Sequence, residues 1–193
     1  MVGGFEKPRP PSFSKEFIDK AVPALLKTLP YRNTPALETF SGECDGFRMS
    51  RNTQVKIKVR FADVDMMGHL NNAKYVTYLE EGRVAYFQKF PELDFTVGDP
   101  ESRDSVIVAA LQLDYRSPAY LNETLVVALR TAEIKRSSFV IEYEMKEEKT
   151  GRLVATARTV MVYFDYRKQK SLEIPSALRK RFEEVEGREF PKP

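Results

Sequence analysis

A regular pattern of polar and apolar residues begins at Thr53. This pattern limits the folds that the chain can adopt. Residues 54–61 alternate polar and apolar side chains, which is the period-two pattern of a strand with one buried face. Residues 71–90 then place Tyr75, Leu79 and Tyr86 on one stripe at helical spacing. We therefore predict a strand followed by a long helix that begins near Asn71.

Four further extended stretches follow the predicted helix, and a final amphipathic helix ends the pattern. The predicted strands cover 105–116, 124–135, 138–147 and 152–167, and the predicted helix covers Ser176–Glu186. Thr150-Gly151 predicts a hairpin turn between the last two strands. A long amphipathic helix beside an antiparallel sheet is most easily buried when the sheet curls around it. The order predicts a single α+β domain, with a mainly antiparallel five-stranded sheet wrapped around a long central helix.

Proline content divides the chain. Six of the twelve prolines lie before residue 51, and proline disfavours regular elements because it fixes φ and lacks the backbone donor. We predict a proline-rich extension over 1–50, the folded domain over 51–186 and a short tail over 187–193. A helix near 14–26 is compatible with the extension, although Pro23 would kink or stop it.

Charge and composition exclude several classes of function. Lys and Arg total 31 and Asp and Glu total 28, with the two signs interleaved, so no basic face for nucleic acid is expected. No apolar run approaches the roughly 20 residues that span a bilayer. Cys44 is the only cysteine, which excludes an internal disulfide and a zinc site of several thiolates. The first residues resemble neither a secretory signal nor a transit peptide, so we expect a cytoplasmic protein that binds neither nucleic acid nor membrane.

Functional side chains are densest over residues 60–75, which run from a strand end through a glycine-containing loop into the helix. Asp65 offers a carboxylate that can serve as general base or nucleophile. The N–H groups near Asn71 and Asn72 open the helix, where donors are unpaired within the helix and point along its positive dipole. A carboxylate beside such donors suits attack on a carbonyl carbon whose oxygen gains negative charge.

This segment resembles a known family. Its Asp63-x-Asp65 strand end, the Gly-His-x-Asn-Asn turn over 68–72 and Tyr75 resemble the signature of hotdog-fold thioesterases of the 4-hydroxybenzoyl-CoA thioesterase-like superfamily. The resemblance continues through Glu80-x-x-Arg83, 114–118, 135–139 and Ile174-Pro175, and so covers about residues 53–185. It leaves residues 1–50 unexplained.

The resemblance implies a hotdog domain that hydrolyses an acyl-CoA, or a similar acyl thioester, to the free acid and thiol. It implies Asp65, His69 and the Asn72 amide as catalytic groups, and it leaves open whether Asp65 is nucleophile or general base. The substrate-binding residues implied are Gly68, Asn71, Tyr75 and Glu80, with Glu80 also the reserve carboxylate. No metal and no cofactor beyond the coenzyme A of the substrate is expected.

Coenzyme A phosphates pair with cationic side chains. The resemblance assigns this role to Lys135, Arg136, Ser137 and Ser138, and a second basic group follows at Arg167, Lys168 and Lys170. Hotdog sites form between protomers, so a homodimer or homotetramer is implied.

Each of these residues also has a structural interpretation. Asp65, Asn71 and Asn72 are common caps, and His69 is a plausible turn residue. Glu80 and Arg83 form a local helical ion pair in this view, and Tyr75 belongs to the core. The alternative functions are an acyl-carrier-protein thioesterase, a non-catalytic acyl-thioester-binding scaffold and a dehydratase. Met67 stands where the related plant acyl-carrier-protein thioesterases have Asn, which counts against the first of these.

Overall fold

The computed structural model of the protein describes residues 53–93, 104–166 and 168–191. The predicted extension over 1–50 lies outside the described residues, so its boundary with the domain stays a prediction. Within these described residues, six strands and two α-helices form in the order β1 (Gln54–Lys58), α1 (Asn72–Phe87), β2 (Asp104–Tyr115), β3 (Thr124–Ile134), β4 (Ser138–Glu147), β5 (Leu153–Asp165), β6 (Lys170–Ser171) and α2 (Ser176–Glu186).

The strands form one sheet in the order β1-β3-β4-β5-β2, with β6 paired to β5. All described strand pairs are antiparallel. The prediction of a mainly antiparallel sheet with one helix against it is confirmed, and the turn predicted at Thr150-Gly151 joins β4 to β5. The five predicted strands form this path, and among the described residues β6 is an additional strand of only two residues, too short to show an alternating pattern.

Helix α1 packs its apolar stripe against β1 and β3. Its buried residues are Tyr75, Tyr78, Leu79, Gly82, Tyr86 and Phe87. At Gly82 the helix lies close to the sheet, because an added Cβ would be 3.2 Å from Cγ1 of Val127. Glycine therefore lets the helix approach the sheet at this point.

The predicted helix over 71–90 was too long at its C-terminal end. The amides of Lys89 and Phe90 donate to the carbonyls of Tyr86 and Phe87, which are three residues back rather than four. The last turn therefore tightens before Pro91, which cannot continue a helix.

Helix α2 closes one end of the core. Leu178 and Phe182 are buried, and the Phe182 ring lies 4.5 Å from Phe90 and 4.7 Å from Phe139, measured between ring centroids. Beyond the helix, Phe190 is also buried. The C-terminal helix thus joins α1 to the middle of the sheet.

Candidate active site

The chain between β1 and α1 folds into a tight turn with two facing arms. Val64 and Leu70 pair across it as an isolated bridge, and the Asp65 amide donates to the His69 carbonyl over 3.0 Å. Gly68 closes the turn with a φ of 82°, a conformation that a residue with a Cβ rarely adopts. The turn therefore holds Asp65 and His69 opposite each other.

The Asp65 carboxylate is fixed through one oxygen. Oδ1 accepts a 2.8 Å hydrogen bond from the Met67 amide, and Oδ2 lies 3.8 Å from Nδ1 of His69. The side chain is 26% exposed. This arrangement leaves Oδ2 open to a water molecule or a substrate carbonyl on the side of the imidazole.

Two residues earlier, Asp63 is fully buried and serves as an anchor. It accepts hydrogen bonds from Arg60 Nε at 2.8 Å and from the Tyr78 phenol at 2.9 Å, and Nζ of Lys74 lies 3.5 Å away. The Arg60 guanidinium, more than any other neighbour, holds the pKa of this carboxyl well below its usual range. The Asp63 carbonyl also accepts from the Asn71 amide over 2.9 Å. Asp63 thus ties the turn to α1.

The first turn of α1 leaves one amide available. Asn71 is the N-cap, and its Oδ1 accepts from the Ala73 amide over 3.0 Å. The Asn71 carbonyl accepts from the Lys74 amide over 2.9 Å. Among the residues that the structure describes, the Asn72 amide has no hydrogen-bond acceptor. Asn72 therefore presents a free donor at the positive end of the helix dipole.

The loop between β2 and β3 contacts the turn that carries Asp65 and stabilises it. The Leu70 amide donates to the Ala119 carbonyl over 2.7 Å. Arg152 Nη2 lies 2.8 Å from both carboxylate oxygens of Glu123, and Nη1 donates to Ser117 Oγ over 2.9 Å. This bidentate ion pair fixes the supporting loop.

Tyr115 was not predicted as a site residue. It ends β2, is 54% exposed and donates a 3.3 Å hydrogen bond to the Asn72 carbonyl. Its ring meets the ring of Tyr75 edge to face, with 5.0 Å between the centroids. Tyr75 itself is buried, so it supports Tyr115 from below. The sequence signal for Tyr115 was its place in the segment 114–118 that resembles the family.

Glu80 lies well away from the turn. It is eight residues after Asn72, or about 12 Å along the helix. Its Oε1 lies 3.5 Å from Arg83 Nη2, so the predicted local ion pair is present, with a long distance between the charged atoms. The side chain is exposed.

The predicted coenzyme A residues form the hairpin between β3 and β4, at the other end of the sheet. Thr124 pairs with Lys58 near the Asp65 turn, and β3 then runs for roughly 35 Å before it reaches Lys135. Nζ of Lys135 lies 3.3 Å from Glu133, and the Arg136 carbonyl accepts from the Ile174 amide. Within one chain the structure does not bring this hairpin and Asp65 together.

Within the described ranges, no three His, Cys, Asp or Glu side chains are grouped so that they could hold a metal ion. None of the helices in the same ranges is long and apolar enough to cross a membrane.

Residues 59–182 match the family model of the thioesterase-like superfamily. The chain belongs to this family. The long-chain acyl-CoA thioesterase FadM of Escherichia coli is 27% identical over 132 residues, which cover 68% of this chain and 98% of FadM. The chloroplastic acyl-acyl carrier protein thioesterase ATL3 of Arabidopsis thaliana is 24% identical over 137 residues, which cover 71% of this chain and 70% of ATL3.

A solved structure agrees with this assignment. A Thermus thermophilus thioesterase crystallised with coenzyme A and zinc is 31% identical, with a TM-score of 0.60 over 71% of this chain and 96% of the other. The predicted hotdog thioesterase family and the prediction of a thioester hydrolase are confirmed.

Proposed function

We propose that the protein hydrolyses acyl-CoA thioesters with Asp65 as the catalytic carboxylate and the Asn72 amide as the donor to the thioester oxygen. One observation carries this assignment. A single turn presents a fixed carboxylate with an open oxygen, and it leads directly into a helix whose first amide is free. Attack at a carbonyl carbon needs both groups, because the oxygen gains negative charge as the carboxylate acts.

Two routes satisfy this geometry, and both end in the same products. As general base, Asp65 takes a proton from a water molecule whose oxygen bonds to the carbonyl carbon. As nucleophile, Asp65 forms a mixed anhydride that water then cleaves. In both routes the carbon–sulfur bond breaks, and the sulfur leaves as a thiolate that takes up a proton. His69, beside Oδ2, orients the water or the substrate.

Acyl-CoA is the proposed substrate class because relatives named for it align over the domain. The 31% identical Thermus thermophilus structure also holds coenzyme A. An acyl carrier protein thioester is the second candidate, which the similarity to ATL3 supports. The two substrates carry the same thioester and differ in the group that bears the thiol. The surface around the site must therefore bind coenzyme A in one case and a folded carrier protein in the other.

We also propose a homodimer built on β2. Among the described strands, β2 lies at one end of the sheet and its outer edge has no partner. Its residues Val108 and Leu111 are exposed, although the residues with which they pair on β5, Met161 and Thr159, are buried. Val84 on the outer side of α1 is exposed as well. An unpaired edge with apolar neighbours favours pairing with a second copy.

Antiparallel pairing of two β2 strands would explain the distant coenzyme A residues. Tyr115, at the C-terminal end of β2, lies near the Asp65 turn, whereas the N-terminal end pairs with β5 near the hairpin at Lys135. A two-fold axis across β2 sets the C-terminal end of one strand beside the N-terminal end of the other. The hairpin of one copy then lies at the same end of the sheet as Asp65 of the other.

No metal, nucleic acid or membrane takes part in the proposed reaction, and coenzyme A enters only as part of the substrate. A cytoplasmic location is proposed with it and is supported by the single cysteine, which suits a reducing compartment.

The test of the proposed function is a hydrolysis screen with the purified full-length protein. Short, long and aromatic acyl-CoAs are compared with the same acyl groups on acyl carrier protein, and free thiol is measured. We expect higher kcat/KM on acyl-CoA. A preference for acyl carrier protein would support the second candidate, and no thiol release from either would contradict the function.

A further inference from the structure

The outer face of the sheet, opposite α1, is exposed in one part and buried in another. Along β5, whose alternate residues point outward, Arg158 is exposed, Val160 is half-buried and Val162 is only 1% exposed. Val140 of β4, which pairs with Val160, is 7% exposed. Side chains on an uncovered sheet stand perpendicular to it and keep their tips in solvent. The three valines, which we call the outer patch, are therefore covered.

The hydrophobic core does not provide this cover. Met161 of β5 points to the other face and belongs to the core, whereas the outer patch does not. Both α-helices of the described ranges lie on that inner face. Helix α1 packs against β1 and β3, and Phe182 of α2 packs against Phe139 of β4. No helix or strand in the described part of the chain lies over the outer patch.

Strand β1 begins at the same end of the sheet as the outer patch. The Leu129 amide donates to the Thr53 carbonyl over 3.3 Å. Followed back toward its first residue, β1 leads away from the Asp65 turn and toward Glu133, which pairs with Val140. Val140 lies two strands across and four residues along from Thr53, a separation of about 16 Å. About five extended residues span this distance, so the chain before β1 can reach the outer patch.

A further buried side chain lies on the outer face near the start of β1. Ala128 of β3 pairs with Gln54, is fully buried and lies outside the core. Further along β1, Lys56 and Lys58 are exposed on the same face. The outer face is thus buried both beside the first residue of β1 and at the outer patch, and it is exposed toward the Asp65 turn.

The proline-rich extension has the length and the apolar side chains to cover this surface. It has 50 residues, and part of it carries apolar side chains at helical spacing. These are Phe17, Ile18, Ala21, Leu25 and Leu26. The linker over 94–103 has only ten residues, with Phe95 and Val97 as its large apolar side chains, and both of its ends are tied to the domain. The extension is therefore the better cover.

We propose that the extension, residues 1–50, docks on the outer patch and covers this part of the sheet. The outer patch is buried within a single chain, so its cover is a segment of the same chain rather than a second copy. Apolar side chains of the extension replace water over the three valines, which stabilises the docked arrangement. Because Val162 pairs with Ser138, the docked extension also borders the hairpin over 135–138.

Photo-crosslinking in the full-length protein tests the docking directly. The photoreactive residue p-benzoylphenylalanine replaces Val160, which is half-buried in the outer patch. In the control it replaces Lys58, which is exposed on the same face at the other end of the sheet. Crosslinked peptides are identified by mass spectrometry after irradiation. We expect position 160 to crosslink to a peptide from residues 1–50 of the same chain, and position 58 to give none of this product.

The other results of this experiment would overturn the proposal. A crosslink from position 160 to residues 94–103, or to a second copy, would assign the outer patch to that partner. Equal crosslinking of the extension from positions 160 and 58 would show that the extension has no fixed place on the sheet. No crosslink at position 160 would show that the outer patch has no cover within reach.

Cutting the folded protein gives a second measurement. A protease recognition sequence is inserted between Ser50 and Arg51 of the full-length chain, and the cut protein is analysed by gel filtration. We expect the extension to remain bound to the domain, and Val162→Lys to release it by placing a charge in the outer patch. The matched control is Val84→Lys, the same change at an exposed valine, and it should retain the extension. Release from the cut protein without either substitution would overturn the proposal, and crosslinking decides the case if Val162→Lys fails to fold.

Discussion

The Tyr78 phenol donates a 2.9 Å hydrogen bond to Oδ2 of Asp63 and so joins the site turn to the middle of α1. Asp63 is buried and Asp65, two residues later, is partly exposed. The buried carboxylate therefore fixes the backbone that presents the exposed one. Removing the Asp63 carboxylate should mainly lower the free energy of unfolding, whereas removing the Asp65 carboxylate should mainly lower kcat.

Asp63→Asn should lower the free energy of unfolding at pH 7 by about 1.5–3 kcal/mol, since it removes charge-assisted hydrogen bonds from Arg60. The pKa of Asp63 is lowered in the folded state. Its stabilisation is therefore complete above the unfolded pKa of about 3.9 and is lost as the pH falls further. Urea unfolding of the wild-type protein and of Asp63→Asn, at neutral and at acidic pH, should show that the difference in their free energies of unfolding is smaller in acid.

The matched control for this measurement is Asp65→Asn, in the same turn. Its amide oxygen can still accept from Met67, so little stability should be lost. If Asp63→Asn is as stable as the control at pH 7, the anchoring role of Asp63 is wrong.

His69→Ala should reduce kcat less than Asp65→Asn does. The imidazole lies 3.8 Å from Oδ2 of Asp65, a distance that suits orientation of a water molecule or substrate between them. Steady-state hydrolysis of one acyl-CoA by both variants gives the comparison. An equal or larger loss in His69→Ala would reverse the ranking of the two residues.

Sequence patterns located the elements and the turn because both depend on local rules. Alternation predicted the strands, the apolar stripe predicted α1, and cap residues with glycine marked the turn that carries Asp65. The end of α1 was predicted too late and strand β6 was missed, since a tightened turn and a two-residue strand leave no periodic signal.

Relationships between distant segments could not be predicted in this way. Tyr115 reaches Asn72 only because the end of β2 meets the start of α1 in the fold. The gap between Asp65 and the hairpin at Lys135 follows from the direction of β3, which the pattern of side chains does not encode.

Lys135→Ala combined with Arg136→Ala should raise KM for a full acyl-CoA by at least about tenfold, since each lost phosphate contact costs about 1.5–3 kcal/mol. The KM for an acyl-pantetheine thioester should change much less, because this substrate lacks the nucleotide phosphates. Equal increases for both substrates would assign the two residues to folding or to the shared thioester end. The phosphate site would then be sought at Lys168 and Lys170.

Mixed dimers test whether Asp65 and the hairpin act across the interface. A chain with Asp65→Asn and a chain with the two hairpin substitutions should each be impaired alone. Coexpressed with different affinity tags and purified as a heterodimer, they should regain one intact site, with kcat/KM per dimer near half that of the wild-type dimer. A heterodimer no better than the hairpin variant would mean that both groups act within one chain.

The turnover of Asp65→Asn on an acyl-CoA that the wild-type protein hydrolyses tests the central claim most directly. Folding and assembly are checked by unfolding and by molar mass in solution, because the Met67 hydrogen bond can survive the substitution. We predict intact assembly with kcat lowered at least about 100-fold, the range expected for loss of general acid–base catalysis. Turnover near the wild-type value in a correctly assembled Asp65→Asn protein would contradict the account and make Glu80 the catalytic carboxylate to test.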